Sequence, residues 1–190
     1  MKRGSLVMGV LNLTPDSFSD GGAFFDVSDA KKQIDKLIAD GADIIDLGAE
    51  SSRPGSEVVS AELEWSRLEP ILEVLDLWPD VQFSLDSYKE EVITKALNYK
   101  IDMINNIKGL VSNSCLKEIA RRDLSYVSMH ISGDPKSMQQ NPLKGVEAAD
   151  EVFKKLYSDY STLLEMGFDK SRVFLDPGIG FGKDDSAMNI

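Results

Sequence analysis

Residues 81–107 read VQFSLDSYKEEVITKALNYKIDMINNI and contain one complete strand–helix–strand unit. Apolar and β-branched residues predict strands at Val81–Leu85 and Asp102–Ile107, and the segment Lys89–Tyr99 between them has helical character. The strands are nearly continuously apolar and do not alternate with polar residues. That pattern is typical of a parallel sheet that is covered by helices.

The same rhythm continues in both directions along the chain. Further apolar runs predict strands at Leu6–Leu13, Asp43–Leu47, Tyr126–Ile131 and Arg172–Leu175. Helices are predicted between most of the strands, the first with Ser28 as its N-cap, the second starting near Ser60, and the later ones at Ser112–Arg122 and Val146–Met166. About six β/α units result, which suits either an open doubly wound sheet or a (β/α)8 barrel.

Polar residues follow almost every predicted strand. They are Asn12, Glu50 to Arg53, Asp86, Asn105, His130 and Asp176. A barrel brings all its strand carboxyl ends around one mouth, whereas an open sheet brings together only those at a switch point. The sequence therefore favours an α/β fold of the TIM (β/α)8 barrel type. Because eight units typically need about 250 residues, we expect residues 1–190 to be one domain that stops before strands 7 and 8.

Composition narrows the classes of partner. The net charge of -11 argues against nucleic acid or an anionic membrane surface as a partner. Cys115 is the only cysteine, so the chain can form no intrachain disulfide and no cysteine-rich metal site. The apolar run Leu6–Leu13 is too short to span a membrane. These features predict a cytoplasmic protein.

Two predicted loops have the composition of ligand-binding segments. Asn12–Gly22 is rich in turn-forming residues, but a loop of roughly a dozen residues more often binds a ligand than a short turn does. In the loop Glu50–Gly55, Arg53 between a hydroxyl and a Pro-Gly turn suits a phosphate group. A surface salt bridge explains Arg53 equally well.

Three later strand ends also leave alternatives open. Asp86 is either a site carboxylate or a helix N-cap, and the amides of Asn105 and Asn106 suit either a heterocycle edge or a turn. The glycine-rich segment after Asp176 lacks the spacing and the Ser or Thr of a Walker phosphate loop, which leaves Asp176 presented by a Pro-Gly turn. His130 is the only histidine and has no partner nucleophile in sequence, so we interpret it as structural.

Taken in order along the whole chain, these segments resemble the dihydropteroate synthase family. Met8–Gly22 is similar to the first family signature and Asp46–Gly55 to the second. The remaining motifs lie at Asp86, Asn105, Met129–His130 and Asp176–Lys183. The resemblance implies a Mg²⁺-dependent transferase of folate biosynthesis that joins 6-hydroxymethyl-7,8-dihydropterin diphosphate to p-aminobenzoate and releases pyrophosphate. It also implies sulfonamide binding and, for the full-length protein, a homodimer.

The resemblance implies a role for each matching residue. Asp86, Asn105 and Asp176 would bind the pterin. Ser52 and Arg53 would contact the diphosphate and the p-aminobenzoate, and Asn12 would contribute to a Mg²⁺ site. The catalytic cations of the family lie on strands 7 and 8, which this sequence lacks, so we expect the 190-residue chain alone to be inactive.

Two other functions remain open from the sequence. A pterin-binding methyltransferase that acts on methyltetrahydrofolate would share the pterin residues but has no use for the first two loops. A non-catalytic pterin-binding remnant would explain the missing strands. Asn106 stands where the family usually has Asp, which puts any supporting role of that position in doubt.

Overall fold

The computed structural model describes residues 4–14, 26–51, 56–133, 138 and 142–184. Strands and α-helices alternate along these residues, with two short 3₁₀ helices at Leu75–Leu77 and Lys170–Arg172. The strands are β1 Met8–Asn12, β2 Ile44–Gly48, β3 Gln82–Asp86, β4 Met103–Asn106, β5 Ser125–Met129 and β6 Val173–Asp176. The helices are α1 Val27–Ala39, α2 Ala61–Leu72, α3 Glu90–Ala96, α4 Asn113–Arg121 and α5 Gly145–Glu165. Every predicted strand is confirmed.

The six strands form one sheet in which each strand pairs in parallel with its neighbour in the sequence. The order is β1-β2-β3-β4-β5-β6. A doubly wound sheet would reverse its order at a switch point, and no reversal occurs among these strands. Sequential parallel pairing is the arrangement of a (β/α)8 barrel, of which the described residues supply six units.

The two faces of the sheet have different chemistry because side chains alternate along each strand. The residues of one face pack against the helices and form the apolar core, with exposures of 0 to 2%: Leu11, Ile45, Leu47, Phe83, Leu85, Ile104 and Tyr126. The alternate positions carry the polar side chains Asp46, Ser84, Asp86 and Asn105. The helices therefore pack on one face of the sheet, and the other face carries the polar side chains.

Helix α1 begins two positions earlier than the sequence predicted. Its N-cap is Asp26, whose Oδ1 accepts the Ser28 backbone N–H at 2.7 Å, so the assignment of Ser28 as the cap was wrong. Both residue types cap helices, and local composition does not rank them. The predicted start near Ser60 is confirmed, since Ser60 accepts the Leu63 backbone N–H. None of the helices in the described part of the chain is long and apolar enough to cross a membrane.

Both outer strands of the sheet expose apolar side chains. Val10 on β1 is 54% exposed, and Phe174 and Leu175 on β6 are 42% and 41% exposed. Among the described residues, β1 and β6 each pair with one neighbour only. An unpaired strand with exposed apolar side chains is a surface that proteins normally cover.

Asn106 lies on the helix-facing side of β4 and is fully buried. Its Nδ2 donates to the Tyr126 hydroxyl at 3.0 Å, and that hydroxyl donates to the Gly109 carbonyl oxygen at 2.9 Å. Its Oδ1 accepts the Lys108 backbone N–H at 2.8 Å. The amide thus ties β4 to β5 and to the following turn, and it points away from the face that carries Asn105.

We predict that Tyr126→Phe lowers the free energy of unfolding by about 1–3 kcal/mol, because the buried Asn106 amide and Gly109 carbonyl lose their shared partner. Urea denaturation measures the change. Tyr157→Phe is the matched control, since Tyr157 is 61% exposed. Equal stability of the two variants would contradict the assigned role of the Tyr126 hydroxyl.

Candidate functional site

Four polar or small residues lie side by side at the carboxyl ends of the first four strands. Asn12 pairs with Gly48, Gly48 with Asp86, and Asp86 with Asn105. Because they occupy one register level, the Asn12, Asp86 and Asn105 side chains meet at the same edge of the sheet. The polar ends of β1, β3 and β4, which sequence predicted separately, thus form one site.

Gly48 provides the space in which these side chains meet. A Cβ atom at Gly48 would lie 3.2 Å from Asp86 Oδ2 and 3.7 Å from Asn12 Oδ1. The carboxylate and the amide oxygen therefore converge on the same position from two sides. A side chain at residue 48 would occupy the space between them.

Asp46 supports this level from one step deeper along β2. It is only 4% exposed, and its Oδ2 accepts a hydrogen bond from Asn105 Nδ2 at 3.0 Å. Its Oδ1 has no hydrogen-bond partner among the described residues. Burial raises the pKa of Asp46, and the hydrogen bond from Asn105 opposes that shift. The contact fixes the orientation of the Asn105 amide.

Asp86 shares this acidic environment. Burial, followed by the charges of Asp46, Glu64 and Glu50, raises the pKa of Asp86 to about 8. The nearby carboxylates disfavour a further negative charge, so Asp86 is largely protonated at neutral pH. A carboxyl group in that state can donate a hydrogen bond as well as accept one.

Asp176 ends β6 and is held on two sides. The Gly178 backbone N–H donates to Asp176 Oδ1 at 2.7 Å, and the His130 backbone N–H donates to the Asp176 carbonyl oxygen at 2.9 Å. Asp176 pairs with Met129, two positions beyond Val127, the β5 partner of Asn105. It therefore lies at the same end of the sheet, one step further toward the mouth.

A buried charge cluster secures the start of the loop after β2. Lys89 Nζ forms ion pairs with Glu50 and with Glu64, the latter at 2.6 Å, and Glu64 is 1% exposed. The Tyr88 hydroxyl donates to Glu50 Oε1 at 2.7 Å. Arg67 Nη1 donates to the Ala49 carbonyl oxygen at 2.7 Å. These contacts fix the backbone at Ala49 and Glu50, directly after β2.

The comparisons with known proteins match this arrangement. The model of the family described as pterin binding enzyme matches residues 8–189. The dihydropteroate synthase of Escherichia coli K12 is 40% identical over 94% of this chain. The Xanthomonas albilineans dihydropteroate synthase with 4-aminobenzoic acid superimposes with a TM-score of 0.83 at 35% identity over 96% of this chain. The Anaplasma phagocytophilum dihydropteroate synthase with bound 6-hydroxymethylpterin-monophosphate superimposes with a TM-score of 0.82 at 35% identity over 96% of this chain.

The chain belongs to the pterin binding enzyme family.

The chain is shorter than these relatives. The chain spans 63% of the Escherichia coli relative, 64% of the Xanthomonas albilineans chain and 71% of the Anaplasma phagocytophilum chain. The six observed units and these structural relatives together confirm the predicted barrel type.

Some predicted site residues lie outside the described part of the chain. Ser52 and Arg53 are among them, so their predicted contacts with diphosphate and p-aminobenzoate stay predictions. Asn12 is exposed at the carboxyl end of β1, and its predicted contribution to a Mg²⁺ site stays a prediction. Within the described residues, no three His, Cys, Asp or Glu side chains are grouped to hold a metal.

The ring of His130 does not join the Asn12, Asp86 and Asn105 side chains at the strand ends. It is 4% exposed and lines a cavity with Glu151 and Lys155 of α5. Burial and the charge of Lys183 lower the pKa of His130. The His130 Nδ1 atom is buried without a hydrogen-bond partner among the described residues, and the structural interpretation made from sequence stays a prediction.

Sequence reasoning missed several supporting residues of the site. A carboxylate inside the apolar run Ile44-Ile45-Asp46-Leu47 was a signal that Asp46 is a buried polar group needing a partner. Lys89 was read only as the beginning of a helix, although it ion-pairs with the buried Glu64 and with the partly buried Glu50. No sequence pattern pairs it with Glu50 and Glu64, because those contacts join two separate β/α units.

The raised pKa of Asp86 predicts a pH-dependent stability. Because the folded state favours the proton, the stabilisation from Asp86 is complete below about pH 4 and is lost as pH rises toward about 8. Asp86→Asn should therefore become progressively more stable than the wild type over this range. The limiting slope for one proton is about 1.4 kcal/mol per pH unit.

Denaturant titrations of both proteins between pH 5 and pH 8 measure this difference, with the exposed Asp80→Asn as a control that makes the same chemical change without burial. A constant difference between Asp86→Asn and wild type at all pH values would show that Asp86 is already ionised in the folded state.

Proposed function

We propose that this chain is the pterin-binding part of a dihydropteroate synthase, a transferase of folate biosynthesis. The observation that carries the proposal is the single register level that joins Asn12, Asp86 and Asn105, with Asp176 at the same end of the sheet. Two carboxyl groups and an amide in this arrangement complement a flat heterocycle that has both donors and acceptors on its edge.

The pterin ring would lie over the carboxyl ends of β3, β4 and β6. Asp176 would accept the two parallel N–H groups of the guanidine-like edge. Asp86, protonated near neutral pH, would donate to a ring nitrogen. The hydrogen bond of Asn105 Nδ2 to Asp46 leaves Asn105 Oδ1 to accept an N–H from the ring.

The diphosphate would lie toward β1 and the loop after β2. Ser52 and Arg53 would bind its oxygens and later form part of the p-aminobenzoate site. Asn12 would hold Mg²⁺ through its neutral amide oxygen, and the metal would offset charge on the departing diphosphate. The ion pairs of Lys89 with Glu50 and Glu64 would position this loop without binding substrate themselves.

The reaction needs orientation more than acid–base chemistry. The bond from the pterin methylene carbon to the diphosphate oxygen breaks, and the p-aminobenzoate nitrogen bonds to that carbon and loses a proton. The electron-rich ring stabilises a cationic transition state, so the protein chiefly positions the amine and excludes water. This role fits a site whose residues are fixed by hydrogen bonds from beneath.

The exposed apolar edges of β1 and β6 support a second part of the proposal. Residues 1–190 would act as one pterin-binding domain whose barrel is closed by two further β/α units, which also supply cations for the substrates. The cytoplasmic location and the homodimer implied by resemblance belong to that complete protein. In this proposal the 190-residue chain alone binds pterin but does not complete the condensation.

The pterin site is tested by calorimetric titration with 6-hydroxymethyl-7,8-dihydropterin diphosphate and Mg²⁺. We expect binding by the wild type and a loss of roughly 100-fold in affinity for Asp176→Asn, because a charged acceptor of two hydrogen bonds is removed. Asp80→Asn should bind like the wild type. Folded wild-type protein that binds no pterin would contradict the function for this chain.

The closure of the barrel is tested by the solution state of the same chain. We expect association or non-cooperative unfolding, because both strand edges expose apolar side chains. Analytical ultracentrifugation, intact-mass measurement and thermal unfolding report these properties. A monodisperse 21.0 kDa monomer that unfolds cooperatively would contradict the need for further units.

A further inference from the structure

Lys183 is the only lysine among the described residues that is classed with the buried polar groups. It follows the glycine-rich turn after β6, and 6% of its surface is exposed. Its stem lines an apolar cavity beside α5, together with residues such as Leu156 and Leu175. A charged group in such a place needs compensation for the water that it has lost.

That compensation comes from three backbone carbonyl groups. Lys183 Nζ donates to the carbonyl oxygens of Gly178 and Phe181 at 3.0 Å each and to that of His130 at 3.2 Å. An ammonium group has three hydrogens, and each has an acceptor here. Two of the carbonyls belong to the turn after β6 and the third to the end of β5, so one side chain joins the two strand ends.

The turn is also pressed against the backbone after β5. A Cβ atom at Gly178 would lie 2.0 Å from the His130 carbonyl oxygen, and one at Gly182 would lie 2.5 Å from that of Ser132. Both glycines have positive φ, 63° and 73°. This close approach brings the carbonyl groups of His130 and Gly178 within reach of a single ammonium.

The same two residues hold Asp176. The backbone N–H groups of His130 and Gly178 donate to the Asp176 carbonyl oxygen and to its Oδ1, respectively. Their carbonyl groups are the ones that Lys183 binds. Lys183 therefore lies one peptide unit away from the hydrogen bond that orients the Asp176 carboxylate and from the one that holds the Asp176 backbone.

We propose that Lys183 is a positioning residue for pterin recognition: its ammonium locks the turn after β6 onto the end of β5 and so fixes the Asp176 carboxylate. The inference rests on the proposed function. Lys183 does not touch the ligand in this account. At the Gly178 and Phe181 carbonyl oxygens its ammonium adds to backbone hydrogen bonds from the Phe181 and Ser132 N–H groups.

The test compares Lys183→Met, which keeps the apolar stem and removes the ammonium, with Lys154→Met, the same change at an exposed position of α5. Calorimetry measures the affinity of each folded protein for 6-hydroxymethylpterin monophosphate. We expect a loss of about tenfold for Lys183→Met, since charged hydrogen bonds are removed, and no change for Lys154→Met.

A double-variant cycle separates positioning from general damage. If Lys183 acts through Asp176, then adding Lys183→Met to Asp176→Asn should cost much less than the tenfold that it costs alone, because the group being positioned is already impaired. Additive losses would overturn the inference. So would wild-type affinity in folded Lys183→Met.

If Lys183→Met does not fold, Lys183→Ala is assayed with added propylammonium, and with propanol as a neutral guest of similar size. Recovery of pterin binding with propylammonium alone supports the inference. Equal recovery with propanol, or recovery with neither guest, assigns Lys183 a purely structural role and overturns it. Wild-type protein that binds no pterin defeats the proposed function itself, which is a distinct result.

Discussion

The parallel register of the strands is the constraint on which the site depends. Each strand runs in the same direction and pairs with its neighbour in sequence, so residues that are 19 to 38 positions apart along the chain become adjacent at one edge. A slip of one residue in a strand would turn its polar terminal side chain toward the helices and an apolar one toward the mouth. The buried Leu11, Leu47 and Leu85, each one position before a site residue, oppose such a slip. The apolar core thus fixes the position of polar groups that do not belong to it.

The polar level at the strand ends is supported by a second set of contacts beneath and beside it. Asp46 orients Asn105, Lys89 holds Glu50, and Lys183 holds the turn that carries Asp176. Each of these supporting groups is ionisable and mostly removed from water, which makes the arrangement costly if a partner is missing. Buried polar networks of this kind fix one geometry because alternative geometries leave charges unpaired. A site that works mainly by orientation needs that property.

Sequence was sufficient for the strands, the barrel type and the residues at the strand ends. Those features follow from local apolar periodicity and from motifs that are contiguous in the chain. The residues that sequence missed are those whose partner lies in another β/α unit. Lys89 illustrates this, because nothing near it in sequence indicates Glu50 after β2 or the buried Glu64 of α2. The pairing of Asn106 with Tyr126 was equally hidden, and only the structure shows that this amide faces the helices. The error at Ser28 has a different cause: Asp26 and Ser28 are both of residue types that cap helices, and composition does not decide between them.

The distribution of charge divides the mouth into two parts with different needs. In the half of the mouth that we assign to the pterin, burial and the charges of Asp46, Glu64 and Glu50 raise the pKa of Asp86, which suits a ring edge that offers acceptors as well as N–H groups. The cations near them are already engaged, since Lys89 is ion-paired with glutamates and Lys183 is enclosed by carbonyl groups. An anionic diphosphate therefore gains little from these two lysines. In the proposed function of this chain of net charge -11, its attraction would come from other groups, namely Arg53, a bound Mg²⁺ and cations from additional strands. On that proposal the acidic half of the site would recognise the pterin, whereas transfer of the pterin would require the positive half as well.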